Sequence, residues 1–171
     1  MFLIFKYFWV LFIVTPLLNA IFIKRRVQKY IIEKPELEDG YNMYIKNSIF
    51  LGVIPAVIMG IAILSQSVES MFDFFQPRKL NPYVLAFHTC VVIYWILSIR
   101  WIYFNKGAEF LEEHPGLIVK NSFGKTSNVT AKEVKIFFPL MLLGGVIGEV
   151  MMWNMNFSIP KLPAIISIFL G

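Results

Sequence analysis

Apolar residues in this chain fall into long blocks separated by polar connections, and the blocks set the architecture. They cover approximately residues 2–23, 45–66, 83–104 and 134–157, with polar loops at 24–44, 67–81 and 105–131 and a short apolar tail at 158–171. Each block approaches the ~20 residues that an α-helix needs to cross ~30 Å of hydrocarbon. The tail is too short to do so. A soluble domain of this length would show more and shorter apolar elements. The pattern predicts an all-α integral membrane protein, one membrane domain over residues 1–171. Its core is a bundle of four transmembrane helices, and a small, partly structured loop lies on the cytoplasmic side.

Punctuation along the chain refines these elements. In the first loop, Pro35 and the Asp39-Gly40 pair mark a turn. Pro55 falls inside the second block and Pro82 at a favourable first-turn position before the third. Ala108 to Glu113 reads as a short helix stopped by Pro115-Gly116, and Leu117 to Val119 followed by the Asn121–Gly124 turn reads as a small hairpin. Thr130 to Glu133 has the capping-box pattern that opens the last helix. A cleaved leader is the rival reading of the first block. It is disfavoured because Leu18, at the position where a small residue is needed, is large, and because Lys24, Arg25 and Arg26 follow at once.

Composition agrees with membrane insertion: apolar residues are 57% of the chain and charged residues 16%. The distribution of the basic residues is more informative than their number. Lys24, Arg25, Arg26, Lys29, Lys34 and Lys46 flank the first loop, and Arg100, Lys106, Lys120, Lys125, Lys132 and Lys135 flank the third. The opposite side has Lys6, Arg78, Lys79 and Lys161, a split of 12 to 4. Loops rich in Lys and Arg stay in the cytoplasm, so both termini are expected outside it, in a multi-pass protein of a bacterial inner membrane. The interfacial cations Lys24, Arg25, Arg26 and Arg100 suit anionic lipid headgroups rather than nucleic acid. The single Cys90 leaves no intramolecular disulfide, CxxC pair or cysteine metal cluster.

Candidate chemistry lies inside the apolar blocks. Glu149 is the one carboxylate in the last block, and an ionisable group at membrane depth needs a partner or a task. With the orientation above, His88, Glu149 and Lys6 all fall within roughly 6–12 Å of the outer surface, at ~1.5 Å per residue. This intramembrane cluster reads either as a polar lock between helices or as a proton or cation site; a lock is the simpler reading. Ser48, Gly52, Ala56 and Gly60 recur every four residues, and Gly144, Gly145 and Gly148 cluster in the last block; both sets suit close helix packing. His114, beside Glu112 and Glu113, reads as a solvated loop residue. No motif calls for a metal or cofactor.

These features favour a small non-catalytic membrane protein of the interaction, accessory or immunity type, with a homo-oligomer or another membrane protein as partner. An oligomeric channel or proton-coupled transporter using Glu149 is the first alternative, and a membrane enzyme acting on a lipid-like substrate the second. The orientation can be tested directly. After replacement of Cys90, Ser122→Cys should be shielded from an impermeant thiol reagent in intact cells and Ser67→Cys should react. Labelling of Ser122→Cys from outside would invert the topology.

Overall fold

The computed structural model describes residues 7–122 and 125–154. Lys6, the outermost residues of the first and last apolar blocks, and the tail at 158–171 lie outside these residues. The described elements are α1 (Trp9–Glu33), α2 (Glu38–Leu64), α3 (Pro82–Phe104), α4 (Gly107–Glu113), the strands β1 (Val119–Ser122) and β2 (Lys125–Asn128), and α5 (Ala131–Asn154). Among the described residues, Pro35–Leu64, Pro82–Phe104 and Ala131–Asn154 are long and apolar enough to cross a membrane.

The first connection is far shorter than the polar pattern at 24–44 suggests. α1 runs on to Glu33, only Lys34 to Leu37 links it to α2, and α2 begins at Glu38. Lys24, Arg25 and Arg26, which follow Ile23, are charged but are good helix formers, so polarity there does not mark the end of the helix. What ends α1 is Pro35: Lys34 before it is held at φ −141°, ψ 81°, and the proline opens a short 3-10 turn. Asp39-Gly40 is correspondingly inside the first turns of α2. A side chain at Gly40 would meet the His114 ring, its Cβ only 2.1 Å from Nε2. Glycine is kept there by a close approach, not by a turn.

α1 and α2 form an antiparallel pair through the small-residue stripe. A Cβ at Gly52 would lie 2.9 Å from Pro16 Cβ, and one at Gly60 would lie 2.8 Å from the Trp9 ring. Ala56 between them is 1% exposed. Ser48 instead lines a crevice toward α3. In the last helix the close approach is at Gly145, where a Cβ would lie 3.0 Å from Trp95 of α3. Gly144 and Gly148, expected to share that packing face, meet no atom within 4 Å of such a Cβ. The face that α5 turns to α3 is narrow, and only Gly145 lies on it.

Burial is concentrated at the two ends of the helices. At the end with the α1–α2 turn, Ile23, Val27, Tyr41, Ile102, Ala108, Leu111 and Leu117 form one cluster. Arg26 donates to the carbonyls of Gly116 (2.5 Å) and Leu117 (2.9 Å), and Tyr41 Oη donates to that of Pro115 (2.9 Å). Arg26 is thus a clamp on the connection after α4 and not an open interfacial cation, whereas Lys24, Arg25 and Arg100 are exposed. Gly116 turns at φ 89°, and its N–H donates to Asn128 Oδ1 on β2 (3.1 Å). His114 is buried, not solvated: its ring stacks on Phe110 at 3.9 Å, and its Nδ1 donates to the Phe110 carbonyl. The hairpin pairs Val119 with Asn128 and Ser122 with Lys125. α5 starts with the Thr130–Glu133 capping box and is tied to α4 by Lys135 on Glu109 (2.5 Å). That ammonium holds the Glu109 carboxyl below its ordinary range.

At the far end Met59, Ala62, Ile63, Val68, Met71, Phe74 and Val84 form the second cluster. Between the two clusters α1 and α2 stay in contact, with Ala20 and Ala56 buried. No residue of α5 is buried.

The α1–α2 contact yields a prediction. Gly52→Leu and Gly60→Leu place a large side chain where 2.8–2.9 Å separates a Cβ from its neighbour. Each should lower stability by about 1–3 kcal/mol, the usual cost of overpacking. Thermal unfolding in detergent checks it, and Gly144→Leu, which meets open space, should leave the midpoint unchanged.

Candidate functional site

Residues 65–81, between α2 and α3, build the roof of a site at the far end. Ser70 and Asp73 close a capping box: Ser70 Oγ accepts from Phe72 N–H (3.2 Å), and Asp73 Oδ2 accepts from Glu69 and Ser70 N–H (2.9 and 3.1 Å). Lys79 pairs with Asp73 at 3.1 Å. Asn81 then caps α3, accepting from Tyr83 N–H (3.0 Å) and donating to the Ser67 carbonyl (2.7 Å). The segment is folded back on itself and packs Phe74, 2% exposed, over the first turns of α3.

This places the Phe74 carbonyl 2.8 Å from His88 Nε2. A carbonyl oxygen can only accept, so Nε2 carries the proton. The other ring nitrogen, Nδ1, lies 2.6 Å from Glu149 Oε1 on α5, the oxygen sitting off the axis along which a ring N–H points. An imidazole of α3 and a carboxylate of α5 are thus in direct contact. Trp153 Nε1, one turn on from Glu149, donates to the same Oε1 at 3.0 Å. Arg78 donates to Asn154 Oδ1 at 3.1 Å, fixing the end of α5 to the roof.

The structure thus brings His88 and Glu149 together. Lys6 is not among the described residues. The sequence reading did not pair Trp153 with Glu149, although an indole four residues after a carboxylate in an apolar helix is a legible helix-face pair. It also missed the Phe74 carbonyl, which no side-chain pattern announces.

Glu149 is on the wall of a cavity. His88 is 4% exposed, and the Glu149 side chain keeps 14% of its surface open. The space has a volume of about 620 Å³ and is lined by apolar side chains from α1, α2, α3 and the roof, including Phe12, Met59, Phe74 and Trp95; Gly148 and Glu149 close it on the α5 side. A second crevice of about 500 Å³ lies between α2 and α3, with Asn47, Ser48, Tyr94 and Ser98 among its lining residues. Gly52 and Pro55 line both spaces. Among the described residues, no three His, Cys, Asp or Glu side chains are grouped as metal ligands would be. Chemically, the arrangement offers a carboxylate, in contact with an imidazole and an indole N–H, at the wall of an apolar enclosure.

No protein family, curated protein or solved structure matches the chain.

The contact at 2.6 Å makes a coupling prediction. His88→Ala strips Glu149 and the Phe74 carbonyl of a partner and should cost about 2–3 kcal/mol. Glu149→Gln keeps shape and hydrogen bonding and should cost about 1–2 kcal/mol, the scale of polar contacts between membrane helices. The double variant should fall short of the sum by at least ~0.5 kcal/mol, because both remove the same contact. Additive losses in thermal unfolding would mean that the two side chains act independently.

Proposed function

We propose that this chain is a non-catalytic, multi-pass membrane protein that takes up a lipid-like molecule from the bilayer. The observation that carries this reading is the cavity of about 620 Å³, apolar on nearly every side, with Glu149, itself in contact with His88, as its polar corner. Ligand sites of this kind, predominantly apolar with a few placed polar groups, have volumes of ~300–1,000 Å³. A channel would need further polar groups to carry a solvated species past Phe12, Met59 and Phe87, and the lining supplies none there. Catalysis on the ligand would need a nucleophile or a second acid beside the pair, and none of the lining residues is one.

In this reading the membrane domain has four spans. α1 fails to match the other three only because its apolar part, from Trp9 to Ile23, is followed within the same helix by Lys24, Arg25 and Arg26. It packs along α2 from Trp9 against Gly60 to Pro16 against Gly52, and so shares the depth of a helix that crosses. The α1–α2 turn and the α4–hairpin connection face the cytoplasm, as the 12-to-4 distribution of basic residues requires. The roof and the Glu149–His88 pair lie toward the opposite surface. Access to the cavity is lateral, beside α5, which is tied down at its ends and buries no residue.

The test uses the cavity itself. A Cβ at Gly148 meets no atom within 4 Å, so Gly148→Leu fills the space without a clash and leaves the Glu149–His88 contact in place. Purified in mild detergent, the parent protein should retain a bound apolar lipid detectable by mass spectrometry after extraction. Gly148→Leu should retain several-fold less at equal or higher thermal stability. Equal retention by both proteins would remove the ligand reading.

A further inference from the structure

At the end with the α1–α2 turn, some cations are used by the protein itself and others are not. Arg26 bonds the carbonyls of Gly116 and Leu117, Lys120 pairs with Glu133, and Lys135 pairs with Glu109. Lys24, Arg25, Lys46 and Arg100 are exposed, and among the described residues no carboxylate pairs with them. All eleven Asp and Glu residues of the chain are described, so no side chain outside the described residues supplies a counter-charge. We propose that these four cations form a belt that binds the headgroups of anionic phospholipids. The belt is independent of the cavity and of what the cavity holds.

Helix register puts the four in one layer. Trp9 faces Gly60 and Pro16 faces Gly52 in the antiparallel α1–α2 pair, so Lys24 and Arg25 come level with Tyr44, within one turn of Lys46. Tyr44 packs on Trp101 of α3 with ring centroids 6.1 Å apart, which brings the preceding Arg100 to the same level. From this layer to the far ends of α2 and α3, Lys46 to Leu64 and Arg100 back to Pro82, the rise is ~27 Å at ~1.5 Å per residue, close to ~30 Å of hydrocarbon. Within that interval Phe50, Val57 and Ile61 of α2 and Val92, Ile93 and Ile96 of α3 are exposed, as side chains facing lipid are. The belt therefore sits where phosphate groups begin. On the same helices the nearest acids, Glu33 and Asp39, are roughly 10 Å or more beyond it, about a Debye length at ~0.1 M salt, and α3 has none. Exposed cations in such a layer favour anionic over zwitterionic headgroups. Arg26, grouped with them by sequence, faces the protein instead, and Lys46 takes its place.

The experiment titrates the full-length protein in detergent micelles with dioleoyl phosphatidylglycerol or dioleoyl phosphatidylcholine, which share their chains and differ in charge. Native mass spectrometry counts the bound lipid. Phosphatidylglycerol should bind the parent more than tenfold tighter, and added salt should shrink the difference. Lys46→Gln and Arg100→Gln should each weaken phosphatidylglycerol binding about fivefold, the scale of one cation near a charged surface. Lys34→Gln removes the same charge beyond the layer and should change it by less than about twofold. Equal losses in Lys34→Gln and Lys46→Gln would mean that net charge acts without a belt and would overturn the proposal. So would equal binding of the two lipids by the parent protein. Inorganic phosphate at matching concentration should not displace the lipid; displacement would make the layer a site for the free anion instead. Gly148→Leu should keep the headgroup preference, and its loss there would move the anionic lipid from the belt into the cavity. Conversely, an intact preference with no effect of Gly148→Leu on retained apolar lipid would overturn the cavity reading and leave the belt standing.

Discussion

α5 is held to the rest of the protein by polar contacts at its two ends, and the open middle of the structure follows from that. At one end Lys135 reaches Glu109 and Ala131 N–H donates to Glu112, while Tyr103 donates to the Lys135 carbonyl. At the other end Glu149 meets His88 and Asn154 accepts from Arg78. Of the three glycines between these fixings, Gly145 alone makes a close approach, against Trp95. Helices in hydrocarbon gain nothing from the hydrophobic effect when they meet, because lipid tails are as apolar as their side chains; polar contacts and close backbone packing decide where they touch. α1 and α2 have the packing, through Gly52, Ala56 and Gly60. α5 has the polar contacts instead, and the cavity is what lies between two such anchors.

Much of this was legible in the sequence, and the failures share one cause. The apolar blocks, the α4 helix, the hairpin, the capping box at Thr130 and the stripe on α2 all follow from periodicity and turn chemistry. The extent of the first loop was legible only in part, because polarity and helix breaking are different properties. Its first half reads as able to continue the helix a turn or two; the helix runs on through the charged Lys24, Arg25 and Arg26 to Glu33, and Pro35 interrupts the backbone. Gly40 misled for a related reason. A glycine beside an aspartate is a turn signal when nothing is known of its neighbours, but here it makes room for His114 across a long-range contact. His114 and Arg26 were read from their local surroundings, but Arg26 bonds the carbonyls of Gly116 and Leu117, and the His114 ring lies against Gly40 and Tyr41, all far away in the chain.

The site shows the same division. Glu149 stands out in the sequence because a charge inside an apolar helix is rare, and His88 shares its depth by simple counting of rise per residue. Depth places two residues in one layer, but the rotation of each helix about its axis decides whether they meet. That rotation is fixed by contacts such as Gly145 on Trp95 and Asn81 capping α3, which belong to the assembled bundle. The Gly144–Gly148 spacing illustrates the limit: three glycines within five positions suggest a packing face, yet the helix is turned so that only Gly145 is on it and Gly148 opens onto the cavity.

The surroundings of Glu149 bear on how a carboxylate is tolerated where it is. A lone carboxylate in hydrocarbon is costly, and pairing it with a fixed cation would make a buried ion pair whose desolvation often offsets its attraction. Glu149 instead accepts from the Trp153 indole N–H and lies against an imidazole oriented by a main-chain carbonyl: the Phe74 carbonyl accepts from His88 Nε2, which turns Nδ1 toward Glu149. The arrangement depends on the roof: if residues 65–81 did not fold over α3, the Phe74 carbonyl would not hold the ring. The capping interactions of Ser70, Asp73 and Asn81 thereby set the position of the ring that meets Glu149 at the cavity wall.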